Sequence, residues 1–209
     1  MRKIYLILLF SLLGISLSAQ ENEPQDGGNQ EFRTIFGGKK IGGYGGISIG
    51  YSQIDGYDAV TLGARGAVVL GHYLALGAGG RAFANAYHNE PTLNQQVNLV
   101  GGYGGFFAEP IFFPKSPVHL SFPVMAGLGG VAFTTWIKND FSATQSNVNE
   151  TSVYLFVEPA VELEFNLTRF FRVSGYLSYR FTSSIDMQNV SPAALENYNA
   201  GLVFKFGKF

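Results

Sequence analysis

The sequence predicts an all-β fold: a transmembrane antiparallel up-and-down barrel of eight strands, with short turns at one end and longer loops at the other. Three observations carry this. From Ile41 onward no long stretch shows a 3.6-residue apolar stripe; polarity instead alternates with period two between turn residues. The composition is 46% hydrophobic and 15% aromatic with 14% charged residues, whereas soluble domains carry roughly 25% charge. It is too apolar for a disordered chain and too poor in charge for an ordinary cytosolic enzyme. The alternating segments number eight, an even count as closed bacterial barrels require.

Taking the chain in order, residues 1–20 read as a secretory signal peptide. Arg2 and Lys3 form a positive start, Ile4 to Leu17 an uncharged apolar stretch, and Leu17-Ser18-Ala19 precedes Gln20 as the expected cleavage site. The stretch is short for a membrane span of about 20 residues, which argues against a retained anchor helix. Removing Arg2 and Lys3 leaves 12 basic against 15 acidic residues, a net −3. That balance gives no electrostatic case for binding nucleic acid. Residues 21–40 are polar and Gly-rich and are expected to form a flexible periplasmic leader. Cysteine is absent, so there is no disulfide framework, no thiolate metal site and no lipid-anchoring cysteine.

Residues 41–209 form the predicted barrel, with strands at about 41–54, 58–70, 73–87, 97–113, 118–137, 152–167, 170–183 and 198–207. The clearest is Phe171 to Phe181. Phe171, Val173, Leu177, Tyr179 and Phe181 share one face, while Arg172, Ser174, Ser178 and Arg180 share the other. Val153 to Leu167 repeats the pattern, with Glu158, Glu162 and Glu164 opposite an apolar row. Connections near Gly71-His72, Pro114–Pro117 and Thr168-Arg169 are tight; those at 88–96, 138–151 and 184–197 are long and polar. Val118 to Ile137 has no formal charge over 20 residues and is long enough for a membrane helix. Pro123 and three glycines interrupt it, and no second helical span exists to pair with it.

A soluble eight-stranded barrel would place its charges outside. Here one face is continuously apolar and the other carries nearly all the in-strand charge, so the charges belong inside and the apolar face in lipid. Tyr51, Tyr87, Trp136, Tyr154 and Tyr198 near the long loops, and Tyr73, Phe112 and Phe170 near the tight turns, are expected to form two interfacial girdles.

A signal peptide, a short leader, eight amphipathic strands over 41–209 and a terminal Phe209 resemble the small OmpA/OmpX-type outer-membrane barrels. The resemblance implies an integral outer-membrane protein in contact with outer-membrane lipid and lipopolysaccharide, inserted by the barrel assembly machinery, and expected to be a monomer. It implies that the last strand, with Leu202, Phe204, Phe206 and the terminal Phe209, carries the assembly signal. Phe209 breaks the apolar parity because Lys208 takes the next outward position. No C-terminal peptidoglycan-binding domain follows, so no cell-wall tether is implied.

Following the strand parities inward gives Arg65, Arg81, Arg172, Arg180 and Lys205 against Glu109, Glu158, Glu162 and Glu164. In the hairpin of the sixth and seventh strands, pairing Glu164 with Ser174 places Arg172 diagonal to Glu164 and Glu158 opposite Arg180, within side-chain reach. An eight-stranded barrel is just wide enough for side chains to fill. The expected function is therefore that of a plugged, salt-bridged barrel acting as an envelope structural or surface-interaction protein. Loops Lys138–Thr151 and Ser184–Asn197 would meet surface ligands.

Three alternatives have their own residues. A narrow channel is suggested by inward glycines at 42, 46, 50, 63, 77, 79, 105, 127 and 129. A lateral transporter for small or hydrophobic molecules is suggested by Pro110, Pro123 and Pro159 in three successive strands, each removing a ladder hydrogen bond. A lipid A-modifying enzyme is suggested by His119-Leu120-Ser121, which pairs a general base with a nucleophile, at the wrong end of the barrel for the outer leaflet. Catalysis is not expected. His72, His88 and His119 have no metal-ligand spacing, and no cofactor or metal is expected.

Overall fold

The structure, a computed structural model, describes residues 41–86, 88–90, 95–137, 145–185, 187 and 190–209; the signal peptide and leader lie outside them. The strands are β1 (Ile41–Ile54), β2 (Tyr57–Leu70), β3 (Leu74–Asn85), β4 (His88–Glu90), β5 (Gln95–Phe112), β6 (Val118–Ser121), β7 (Val124–Ile137), β8 (Gln145–Asn166), β9 (Phe171–Thr182) and β10 (Asn197–Lys208).

These ten make eight spanning strands. β4 folds back on β5 and lengthens the β3–β5 hairpin. β6 and β7 are two halves of one strand broken at Phe122-Pro123. Ile111 faces Ser121 before the break and Ala108 faces Val124 after it, so the register with β5 survives. All pairings are antiparallel, and β1 closes onto β10 from Gly43↔Lys208 to Ser52↔Asn199. The ring has no free edge, which is what a sheet surrounded by lipid requires.

Turn chemistry explains the tight connections. Asp55-Gly56 and Gly71-His72 both have positive φ at their two central residues, the conformation that matches the twist of a two-residue hairpin. At the long-loop end, β7 stops at Ile137 as predicted, while β8 starts at Gln145, earlier than the predicted 152, and these two residues face each other. Residues 145–151, expected as loop, are therefore strand, and 138–144 lies outside the described residues.

Alternation sorts the side chains. On β9 the buried positions are Arg172, Ser174, Tyr176, Ser178 and Arg180. Each of the eight spanning strands turns an apolar side chain outward near its middle: Ile47, Leu62, Leu76, Phe106, Leu128, Leu155, Leu177 and Leu202. This belt reaches 80% exposure at Phe106, an arrangement that only lipid makes favourable. Val118 to Ile137 lies in β6 and β7, and among the described residues no helix is long and apolar enough to cross a membrane.

Tyr51 and Tyr198 are exposed at the long-loop end, and Tyr73, Phe112 and Phe170 at the tight-turn end, as expected of girdles. Tyr154 is not among them. It is 1% exposed, because even positions of β8 share the inward face with Glu158, Glu162 and Glu164. Tyr87 and the side chain of Trp136 lie outside the described residues.

Candidate functional site

The barrel interior is layered: an apolar cluster at each end and a charged belt between them. At the tight-turn end, Tyr44, Val69, Ala75, Phe107 and Ile111 pack together, with Phe209 against them. At the long-loop end, Phe83, Leu99, Tyr103, Phe133, Tyr154 and Phe156 form a larger cluster. Ile185, Met187, Val190, Ala194 and Leu195 join that cluster from the connection between β9 and β10.

All nine sequence-selected charges lie inside the ring. Lys205 is the hub. Its Nζ is 2.6 Å from Glu109 Oε1 and 3.0 Å from Glu162 Oε2, and it also donates to Glu164 Oε1. Arg65 Nη2 donates to Glu162 Oε2 at 2.6 Å, Tyr44 Oη donates to Glu109 Oε2, and Ser121 Oγ donates to Glu164 Oε1 at 2.6 Å. Arg172 Nη1 lies 3.6 Å from Glu164 Oε2, the diagonal pair expected from the register. One oxygen from each of Glu109, Glu162 and Glu164 lies within 4.8 Å of the others. The Lys205 ammonium sits among these carboxylates and already supplies the positive charge a metal would bring.

A second group lies further toward the loops. Arg81 Nη1 donates to Glu158 Oε1, which also accepts from Ser178 Oγ at 2.6 Å. The Arg81 guanidinium carbon stands 4.6 Å from the Tyr176 ring centroid. Arg180 is the fifth cation and has no carboxylate partner among the described residues. Its Nε donates to Leu195 O at 2.8 Å, and its guanidinium lies over Phe83 and Tyr103. The expected Glu158–Arg180 pair is thus replaced by Glu158–Arg81. The register itself is as expected, with Glu164 facing Ser174 and Phe156 facing Thr182, but the β8–β9 ladder is interrupted between Val157 and Ala160, where Pro159 has no N–H.

The glycines make room for the charges. A Cβ on Gly63 would stand 2.7 Å from Arg81 Cγ, and one on Gly79 would stand 2.6 Å from Arg65 Cβ. The void left beside Arg65, Arg81 and Met125 is only about 10 Å³, roughly room for one water. Side chains therefore leave little space beside this stretch of the glycine-lined face.

His119 and Ser121 are both inward and buried, but they do not address each other. His119 Nε2 lies 3.1 Å from Glu164 Oε2 and 3.3 Å from Arg172 Nη1, while the Ser121 hydroxyl donates to the other oxygen of Glu164. Around the prolines, Phe122 N donates to Pro110 O and Ala160 N donates to Pro123 O, so the wall stays paired on its acceptor side.

Two features escaped the sequence reading. The Ser184–Asn197 connection, expected to face outward, turns Ile185, Met187, Val190, Ala194 and Leu195 into the barrel mouth. Asp55 N donates to Ala194 O, which ties this plug to the β1–β2 turn. Phe209 bends inward, stacking on Tyr44 at 5.7 Å and under the Arg172 guanidinium at 3.7 Å. The isolated apolar residues in a polar loop, and the parity break at Lys208, were the available signals.

A scan against protein-family models finds no match, and neither does a search of curated proteins. Among solved structures, the chain is similar to Neisserial surface protein A, with a TM-score of 0.51 at 12% identity, covering 81% of this chain and 97% of that one. The fold is that of the small outer-membrane β-barrels. Lower scores go to the attachment invasion locus protein Ail of Yersinia pestis in complex with the heparin analogue sucrose octasulfate (TM-score 0.45, 14% identity, 81% and 97% covered). The N-terminal β-barrel domain of Pseudomonas aeruginosa OprF scores 0.39 at 14% identity, covering 81% and 98%. In the present chain the charged belt lies between the two apolar clusters.

Proposed function

We propose that the protein is an integral outer-membrane barrel whose interior is a permanent plug, acting as an envelope structural or surface-interaction protein through its long-loop end. The observation that carries this is the packing of apolar side chains into both ends of the lumen. The loop plug centred on Leu195 fills one mouth, and the Tyr44–Phe107–Phe209 cluster narrows the other. Buried ion pairs that satisfy one another need no ligand to be stable, whereas a conducting lumen keeps its charges hydrated. The protruding β7–β8 hairpin is the part free to meet partners. Catalysis is not part of the reading, since Glu164 occupies both His119 and Ser121.

The reading requires signal-peptide removal near Ala19/Gln20, insertion by the assembly machinery and a fixed orientation. The chain has no cysteine, so single cysteines report orientation cleanly. On intact cells a membrane-impermeant maleimide is expected to label Ala193→Cys at the long-loop end and to spare Lys115→Cys at the tight-turn end. The reverse pattern overturns the reading.

A second reading, lateral handling of a hydrophobic molecule, has one observation in its favour. An apolar groove of about 750 Å³ on the outer wall is bordered by Tyr73, Pro110, Phe112, Phe113 and Pro114, directly beside the strand break at Phe122-Pro123. Fast hydrogen exchange at Phe122 and Ala160 in a lipid bilayer would favour it; full protection would remove it.

A further inference from the structure

At the tight-turn end the outer wall carries an apolar groove of about 750 Å³, bordered by Tyr73, Pro110, Phe112, Phe113, Pro114 and Lys115. Tyr73 and Phe112 are exposed members of the aromatic girdle, so the groove lies where acyl chains give way to headgroups. Its walls are held in place. Phe112 stands edge-on to Phe122 at 5.4 Å, Ile111 N donates to Tyr73 O at 2.7 Å, and Phe122 N donates to Pro110 O at 3.0 Å.

The turn at the end of the groove is strained, and the strain presents an aromatic ring to lipid. Phe113 has φ 57°, in the left-handed region that a bulky side chain seldom enters. Ser116 N donates to Phe113 O at 2.9 Å and closes the turn, leaving Phe113 74% exposed beside the groove. Backbone strain of this kind persists where the surroundings impose it, and it collects at binding sites.

Charge distinguishes one end of the groove. Lys115 is exposed at its rim, and among the described residues no carboxylate borders it. Glu109, next to Pro110 in the chain, points inward and is taken by Tyr44 and Lys205. The tight turns hold Lys115 and Arg169 and no acidic residue.

We propose that the groove is a selective site for one anionic phospholipid of the adjoining leaflet. An acyl chain lies along Pro110, Phe112 and Phe113, and the headgroup phosphate meets the Lys115 ammonium at the membrane edge. The occupant is a lipid because the groove opens on the wall that lipid surrounds. Lys115 favours a headgroup with net negative charge over one that carries its own cation. The site rests on the membrane-barrel reading, but a resident lipid needs no opening of the wall at Phe122-Pro123.

The test is native mass spectrometry of the folded full chain, released from maltoside micelles doped with equal amounts of phosphatidylglycerol and phosphatidylcholine. One phosphatidylglycerol per chain is expected to be retained in preference, by about fivefold, the factor that one lysine near a membrane surface contributes. Lys115→Gln should abolish the preference, whereas Arg169→Gln, at the same end but away from the groove, should keep it. Glycine accepts a positive φ without strain, so Phe113→Gly should keep the parent's heat-dependent gel mobility while retaining several-fold less phosphatidylglycerol. Equal retention of the two lipids by the parent, an unchanged preference in Lys115→Gln, an equal loss in Arg169→Gln, or undiminished retention in Phe113→Gly overturns the proposal. Failure of the folded parent to float with lipid vesicles would overturn the barrel reading and the site with it; flotation without selective retention overturns the site alone.

Discussion

Lys205 and Glu109 stand 96 positions apart in sequence and on strands that are not neighbours in the sheet, yet their side chains meet at 2.6 Å across the lumen. This contact ties β10 to β5 through the centre of the ring. It belongs to a belt in which one ammonium faces three carboxylates, so the belt acts as a unit and each charge depends on the others.

Replacing Lys205 with Met leaves Glu109, Glu162 and Glu164 crowded with only Arg65 and Arg172 to offset them. The expected loss is about 3–5 kcal/mol, read as a lower urea midpoint for barrel unfolding in lipid vesicles. Glu109→Gln in the same chain should recover part of it. Arg180→Met, which removes a cation without a carboxylate partner among the described residues, should cost clearly less than Lys205→Met. Equal losses would mean that the belt is not centred on Lys205.

Glycine positions divide by what their missing side chains would meet. Gly79→Leu forces a side chain into Arg65 and is expected to cost about 1–3 kcal/mol. Gly175 has nothing within 4 Å of the position its Cβ would occupy and is on the lipid face of β9, so Gly175→Val should change stability by less than about 0.5 kcal/mol. The same unfolding series checks both.

The loop plug predicts a contrast between near neighbours. Ala193 is exposed and Leu195 fully buried. A water-soluble maleimide should label Ala193→Cys rapidly and Leu195→Cys only after unfolding. Equal rates would show that the connection stands away from the mouth.

Phe209→Ala removes both the Tyr44 stack and the ring beneath Arg172. A cation–π contact of this kind contributes about 0.5–2 kcal/mol, and the same loss is expected in the unfolding midpoint. Amide exchange on β1 near Tyr44 should quicken as well. An unchanged protein would mean that the terminal ring acts only during assembly.

The barrel was legible because lipid and lumen impose opposite demands on alternate residues. The parity that sends Phe171, Val173 and Leu177 outward necessarily sends Arg172 and Arg180 inward, and the even strand count follows from the turns. Which charges would meet was only half legible. Neighbour-strand logic finds Arg172 with Glu164, but Lys205 with Glu109 and Arg81 with Glu158 cross a lumen whose rotation no single hairpin encodes. The Ser184–Asn197 plug was missed for a different reason: Ile185, Met187, Val190 and Leu195 follow no strand or helix period, and their burial depends on a cavity that exists only once the ring has closed.

The most direct test of the closed lumen is single-channel recording in a planar bilayer, with refolded protein that shows the heat-dependent mobility of a closed barrel. The account predicts a silent bilayer for the intact chain across applied voltages. Discrete, reproducible openings from that chain would contradict it, and would make Arg65 and Arg81 residues of a transport path rather than members of a plug.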